Sequence, residues 1–145
     1  MVNIILISAI MALITSQTAK AFVGIARYGR SDLLRTPWRL IWAGGMPSSH
    51  SAFTVAPLTV VGLKEGLGSP LFGLGFLITC IAIYDRGRMF HIYSHFQKRF
   101  PYLKNEVEND PQLKDLVGHS ALEIIIGIMI GFVSGLSAYF FITSI

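Results

Sequence analysis

Four long apolar stretches constrain this chain more than any other feature. From Val2 to Ala26 the only charge is Lys20; Pro47 to Leu63 and Leu67 to Tyr84 carry none; Ala121 to Ile145 carries only Glu123. A transmembrane helix needs about 20 mostly apolar residues, within a range of about 17–25. The outer two stretches exceed this and the middle two just reach it. A soluble bundle of buried helices is the competing arrangement. With 52% hydrophobic and only 14% charged residues, too little polar sequence remains to cover such a core. The expected fold is therefore all-α: one polytopic membrane domain, 1–145, with about four spans near 2–26, 47–65, 67–90 and 118–144. The first stretch has no basic region before its apolar run, so it reads as a permanent span and not a secretory signal. Cys80, the single cysteine, lies mid-span and has no internal disulfide partner.

Two polar connections separate these spans. Residues 27–46 mix Arg27, Arg30, Arg35 and Arg39 with Trp38 and Trp42, a composition suited to a membrane–water interface. Residues 85–120 begin with an aromatic and basic run, Asp85 to Phe100, which should continue the third helix as an interfacial amphipathic segment until Pro101 ends or kinks it. Residues 102–115 form a hydrophilic loop or short helix over the site. Ten of the twelve Lys and Arg residues fall in these two connections, and only Lys64 lies on the opposite side. The positive-inside rule places both connections in the cytoplasm, in a cell or inner membrane. The net charge of +4 then matches anionic lipid headgroups and calls for no nucleic acid.

Ionisable groups within or at the ends of spans are costly and usually functional. Here they occur in four places: Lys20 and Arg27 late in the first span, His50 opening the second, Asp85, Arg86 and Arg88 closing the third, and His119 and Glu123 opening the fourth. Since consecutive spans alternate in direction, all four places share one membrane face. Clustered Lys and Arg favour a bound oxyanion, and arginine's planar fork fits phosphate oxygens. The second and fourth helices both begin at this face, so their free N–H groups point at the same anion. In Gly44-Gly45-Met46-Pro47-Ser48-Ser49-His50 the glycines allow close backbone approach, the proline suits a first helical turn, and the serines cap the helix or donate to phosphate. His119 and Glu123, four apart, should share a helical face, where the carboxylate orients the imidazole for attack while His50 protonates a leaving alkoxide. Gly127, Gly131 and Gly135 extend the same four-residue step and should let another helix pack closely.

These residues resemble a known pattern. Gly44 to Ala52, followed downstream by Gly118-His119-Ser120-Ala121-Leu122-Glu123, is similar to the divergent branch of the type-2 phosphatidic acid phosphatases, membrane relatives of acid phosphatases and vanadium haloperoxidases. The resemblance covers nearly the whole chain. The wider superfamily uses a lysine and, after six intervening residues, an arginine; Lys20 and Arg27 have that spacing, with Tyr28 where proline is usual. Pro47-Ser48-Ser49-His50 looks like the second superfamily motif with Ser49 in place of glycine. His119 resembles the nucleophile of the third motif, with Glu123 where aspartate is usual. Tyr84-Asp85-Arg86-Gly87-Arg88 looks like the arginine-bearing stretch of the divergent branch, leaving Arg86 and Arg88 as alternative phosphate contacts and Asp85 as a supporting group. The resemblance implies hydrolysis of a lipid phosphomonoester or polyprenyl (di)phosphate through a phosphohistidine, with no metal and no cofactor. The partners implied are a lipid phosphate substrate and membrane lipids, with room for a homodimer.

Other readings carry less. Ser48 or Ser49 beside His50 would suggest a serine hydrolase, but adjacent residues rarely form a nucleophile–base pair. His91 and His95 share a face yet lack a third metal ligand, and suit an interfacial role better. A non-enzymatic channel, carrier or anion-binding subunit would need polar residues through the membrane depth, and the span halves away from the motifs are almost purely apolar. If the topology is right, cysteines introduced at positions 30 and 105 will be labelled by an impermeant reagent from the same side. Labelling from opposite sides would break the four-span order.

Overall fold

Asn3 starts the first helix: its side-chain oxygen accepts hydrogen bonds from the N–H groups of Ile5 and Leu6 at 3.1 and 3.4 Å. In the computed structural model, which describes residues 3–28, 45–110, 113 and 116–144, every regular element is a helix. The order is α1 (Ile4–Tyr28), α2 (Ser49–Glu65), α3 (Pro70–Arg99), α4 (Leu103–Asn109) and α5 (Ala121–Thr143). The connection bearing Arg30, Arg35, Arg39, Trp38 and Trp42 lies outside the described residues, as does Gly44.

Among the described residues three helices, Ile4–Ala26, Pro70–Arg99 and Ala121–Thr143, are long and apolar enough to cross a membrane. The fourth expected span, α2, has 17 residues, at the lower limit for a crossing. Its position accounts for its weaker apolar character. It packs against α1, α3 and α5 at once, whereas α3 rests chiefly on α2 alone. Screened by three neighbours, α2 can carry serine and threonine without facing lipid.

Association of helices in lipid depends on close packing of small residues, because lipid tails are as apolar as leucine. The glycine stripe on α5 follows that rule. A Cβ on Gly131 or Gly135 would lie 2.6 Å from the carbonyl oxygen of Ala52 or Ala56, and one on Gly127 would fall against the Ser48 carbonyl. Four-residue steps on α5 therefore meet four-residue steps on α2, and the two helices run parallel, almost backbone to backbone. From α1 come Ser8, Ala12 and Ser16, all fully buried, with Ala12 clustered against Ala52 and Ala56. The hydroxyls of Ser8 and Ser16 donate to the Ile5 and Leu13 carbonyls of their own helix, so neither is left unpaired.

Two expected boundaries need correction. Residues 47–48 and 118–120 precede their helices instead of opening them, because Ser48 and Ser120 are extended N-caps whose hydroxyls accept from the Ser51 and Glu123 N–H groups. Pro47 accordingly lies outside the first turn. The third span and the amphipathic segment form a single uninterrupted helix, α3, of 30 residues and about 45 Å. It stops at Phe100, just before Pro101, and the hydrophilic piece that follows contains the short acidic helix α4.

Gly131→Val should force α5 away from α2. Overpacking of this kind costs about 1–3 kcal/mol, read as a lower thermal midpoint in detergent. Gly73→Ala, where an added Cβ meets nothing within 4 Å, should leave that midpoint unchanged or raise it.

Candidate active site

The parallel packing brings the first turns of α2 and α5 side by side, and the Ser48 N–H donates to the Glu123 carbonyl at 3.0 Å. Around this joint the local sequence specifies a capping box. The Ser120 hydroxyl accepts from the Glu123 N–H at 3.4 Å, while the Glu123 carboxylate turns back to accept from the Ser120 N–H at 3.0 Å. The same carboxylate oxygen lies 3.3 Å from Nδ1 of His119. His119 and Glu123 are thus paired, as expected, but not across a helical face. His119 stands one residue before the cap, outside the helix, and the capping box directs the carboxylate toward it.

His119 is buried, at 4% exposure, and held from a second side. Its N–H donates to the Arg86 carbonyl of α3 at 3.0 Å. Gly118 makes this approach feasible: its φ is +77°, and a Cβ there would strike the Arg86 carbonyl and come within 2.8 Å of the Phe90 nitrogen. On the open side stands His50, in the first turn of α2 and exposed, its ring centroid 5.9 Å from that of His119 and tilted by 51°. With Nδ1 of His119 engaged by a carboxylate, a proton on Nδ1 leaves the Nε2 lone pair free to act as nucleophile.

The remaining candidates are distributed unequally. Ser48 is committed to the cap, and its hydroxyl also accepts from the Ser51 hydroxyl at 3.0 Å. Ser49 is buried, and its hydroxyl has no hydrogen-bond partner among the described residues, which leaves it available to a ligand beside His50. Lys20 is half-buried on α1. Arg27 is in the last turn of α1, its side chain outside the described part. Arg86 joins the site through its carbonyl, with its guanidinium 3.9 Å from the Asp85 carboxylate. Arg88 is exposed and reaches the Tyr84 hydroxyl at 3.5 Å. No three His, Cys, Asp or Glu side chains among the described residues gather as a metal-binding group.

Sequence reasoning included Gly118 and Ser120 in a motif without assigning them a role, and it missed the Arg86 carbonyl. The signal for Ser120 was present as Ser-x-x-Glu before an apolar run. The contact between Gly118 and α3 joins two helices distant in sequence and leaves no local pattern.

A family model described as "Divergent PAP2 family" matches residues 1–134. A protein of Bacillus subtilis (strain 168), described as the uncharacterized membrane protein YuiD, is 31% identical over an alignment of 158 positions that covers 96% of each chain. No solved structure matches.

Loss of the cap in Ser120→Ala should cost about 0.5–2 kcal/mol. Gly118→Ala should cost more, because the new Cβ falls on the Arg86 carbonyl in a left-handed backbone. Thermal midpoints in one detergent rank the two, and equal midpoints would contradict the joint described here.

Proposed function

This chain belongs to the divergent PAP2 family, and from that membership and the site geometry we propose that it is an integral-membrane phosphatase acting on a lipid phosphate through a phosphohistidine. The observation that carries the proposal is the buried His119, fixed by Glu123 on one side and by the Arg86 carbonyl on another, with the His50 ring 5.9 Å away. Merely structural histidine–carboxylate pairs need no second histidine at their open edge.

In this reading the phosphate sits at the adjacent N-termini of α2 and α5, whose free N–H groups and positive dipole ends favour an anion. Ser49, Lys20, Arg27 and one of Arg86 or Arg88 supply further contacts, and Asp85 holds Arg86. Nε2 of His119 attacks phosphorus, the ester P–O bond breaks as the N–P bond forms, and His50 gives its proton to the departing alkoxide. A water, deprotonated by His50, then attacks the phosphohistidine and releases inorganic phosphate. In-line attack needs about 3–3.5 Å from nitrogen to phosphorus and about 2.6–3.2 Å from the acid to the leaving oxygen. The two rings, with centroids 5.9 Å apart and tilted by 51°, thus face one phosphate from its attacking and leaving sides.

A site at the end of an apolar bundle suits a substrate whose tail stays in the bilayer, such as a lipid phosphomonoester or polyprenyl (di)phosphate. By the positive-inside rule, the excess of Lys and Arg in the two long connections favours the cytoplasmic face for this site.

The two histidines can be separated experimentally. His119→Ala should form no phosphoenzyme with any substrate. His50→Ala should keep activity on an activated aryl phosphate and lose most of it, about 100-fold or more, on an alkyl lipid phosphate, in line with the usual worth of a general acid. Glu123→Gln should fall between wild type and His119→Ala. A phosphohistidine trapped at position 50 in His119→Ala would reverse the roles, and wild-type turnover in His119→Ala would end the proposal.

A further inference from the structure

One stripe on α3 changes chemistry partway along its length. Leu74, Leu77, Ile81, Tyr84, Arg88, His91, His95 and Lys98 recur at alternating steps of three and four, the spacing that keeps side chains on one side of a helix. All eight are exposed, so the stripe is the outward side of α3, away from α2. Its first four members are apolar or aromatic, each about half or more exposed, as a surface in contact with acyl chains must be. Its last four are cationic or titratable, and Arg99, also exposed, lies beside them.

The change falls at a defined depth. It comes between Tyr84 and Arg88, and the Arg86 carbonyl at that level holds the His119 N–H. Because α3 is unbroken there, an outward side that meets lipid tails below this level meets headgroups above it. Ile92 and Phe96, also exposed, flank the basic residues and would be costly in open water, but they fit the boundary between headgroups and tails. Within the upper part of α3 the one acidic side chain, Asp85, is already engaged by Arg86. The upper stripe thus carries three permanent cations, Arg88, Lys98 and Arg99, with two histidines between them. A second copy docked along the same stripe would set two such rows against each other. An anionic partner complements it.

We propose that the outward side of α3 from His91 to Arg99 is a binding surface for anionic phospholipid headgroups, separate from the site at His119. The surface extends about 12 Å along the helix. Each basic residue close to the membrane surface adds to the attraction of anionic headgroups.

The test measures lipid retention without turnover, so its outcome is independent of the phosphatase proposal. The full chain is placed in phosphatidylcholine nanodiscs doped with spin-labelled phosphatidylglycerol or phosphatidylcholine, and the motionally restricted lipid is measured by electron paramagnetic resonance. The wild-type chain should retain phosphatidylglycerol severalfold over phosphatidylcholine. That preference should collapse at about 1 M salt, where the Debye length is about 3 Å. The variant combining His91→Gln, His95→Gln, Lys98→Gln and Arg99→Gln should lose more than half of it, whereas Lys64→Gln, at the other membrane face, should retain it. Equal retention of the two lipids by the wild type, or an undiminished preference in the fourfold variant, would overturn the proposal. So would loss of the preference to millimolar inorganic phosphate at constant ionic strength, which would indicate a site for free anions. If the fourfold variant fails to fold, the milder pair Lys98→Gln and Arg99→Gln should still lower the preference, and an unchanged preference in that pair would overturn the proposal.

Discussion

The close approach of α2 and α5 governs the rest of the molecule. Glycines at 127, 131 and 135 let the two backbones come together where any side chain would collide with a carbonyl oxygen. In lipid, where burial of apolar surface offers little gain, that proximity is the means by which helices select partners. Because the helices are parallel, the same contact that holds the bundle brings two N-termini to one level. Eight unsatisfied N–H groups, four per helix, are the ordinary consequence of two helix starts. Some are met by Ser48, Ser120 and Glu123, and the rest make this end of the bundle attractive to an anion.

Glu123 shows how few residues the site needs. One carboxylate oxygen closes the capping box and faces the imidazole of His119, so the start of α5 and the orientation of the ring are set by a single side chain. The Arg86 carbonyl fixes the backbone of the same histidine from α3. His119 is thereby held without belonging to any helix, between the start of α5 and the middle of α3.

The apolar stretches made the helices legible, because their lengths match a bilayer and leave no other element that satisfies its own backbone groups. The glycine stripe and the pairing of His119 with Glu123 were legible from spacing. The route by which that pair forms was not: four-residue spacing suggests a helical face, and Ser120 instead starts the helix after His119. The shortness of α2 could be read, but not its enclosure by three neighbours, which depends on packing. The Arg86 carbonyl was invisible for a simpler reason. A backbone acceptor is present at every residue, and only the conformation of Gly118 selects this one.

The order of the helices along the chain has a biosynthetic consequence. A nascent chain that has inserted α1, α2 and α3 already carries His50, Ser48 and the Arg86 carbonyl, yet none of them has its counterpart. Glu123, Ser120 and His119 arrive with α5, and the Ser48–Glu123 hydrogen bond forms only when α5 docks against α2. Assembly of the bundle and assembly of the histidine pair are therefore one event. A chain still emerging from the ribosome therefore lacks both the pairing of His119 with Glu123 and the facing of His50 and His119 until its last helix docks.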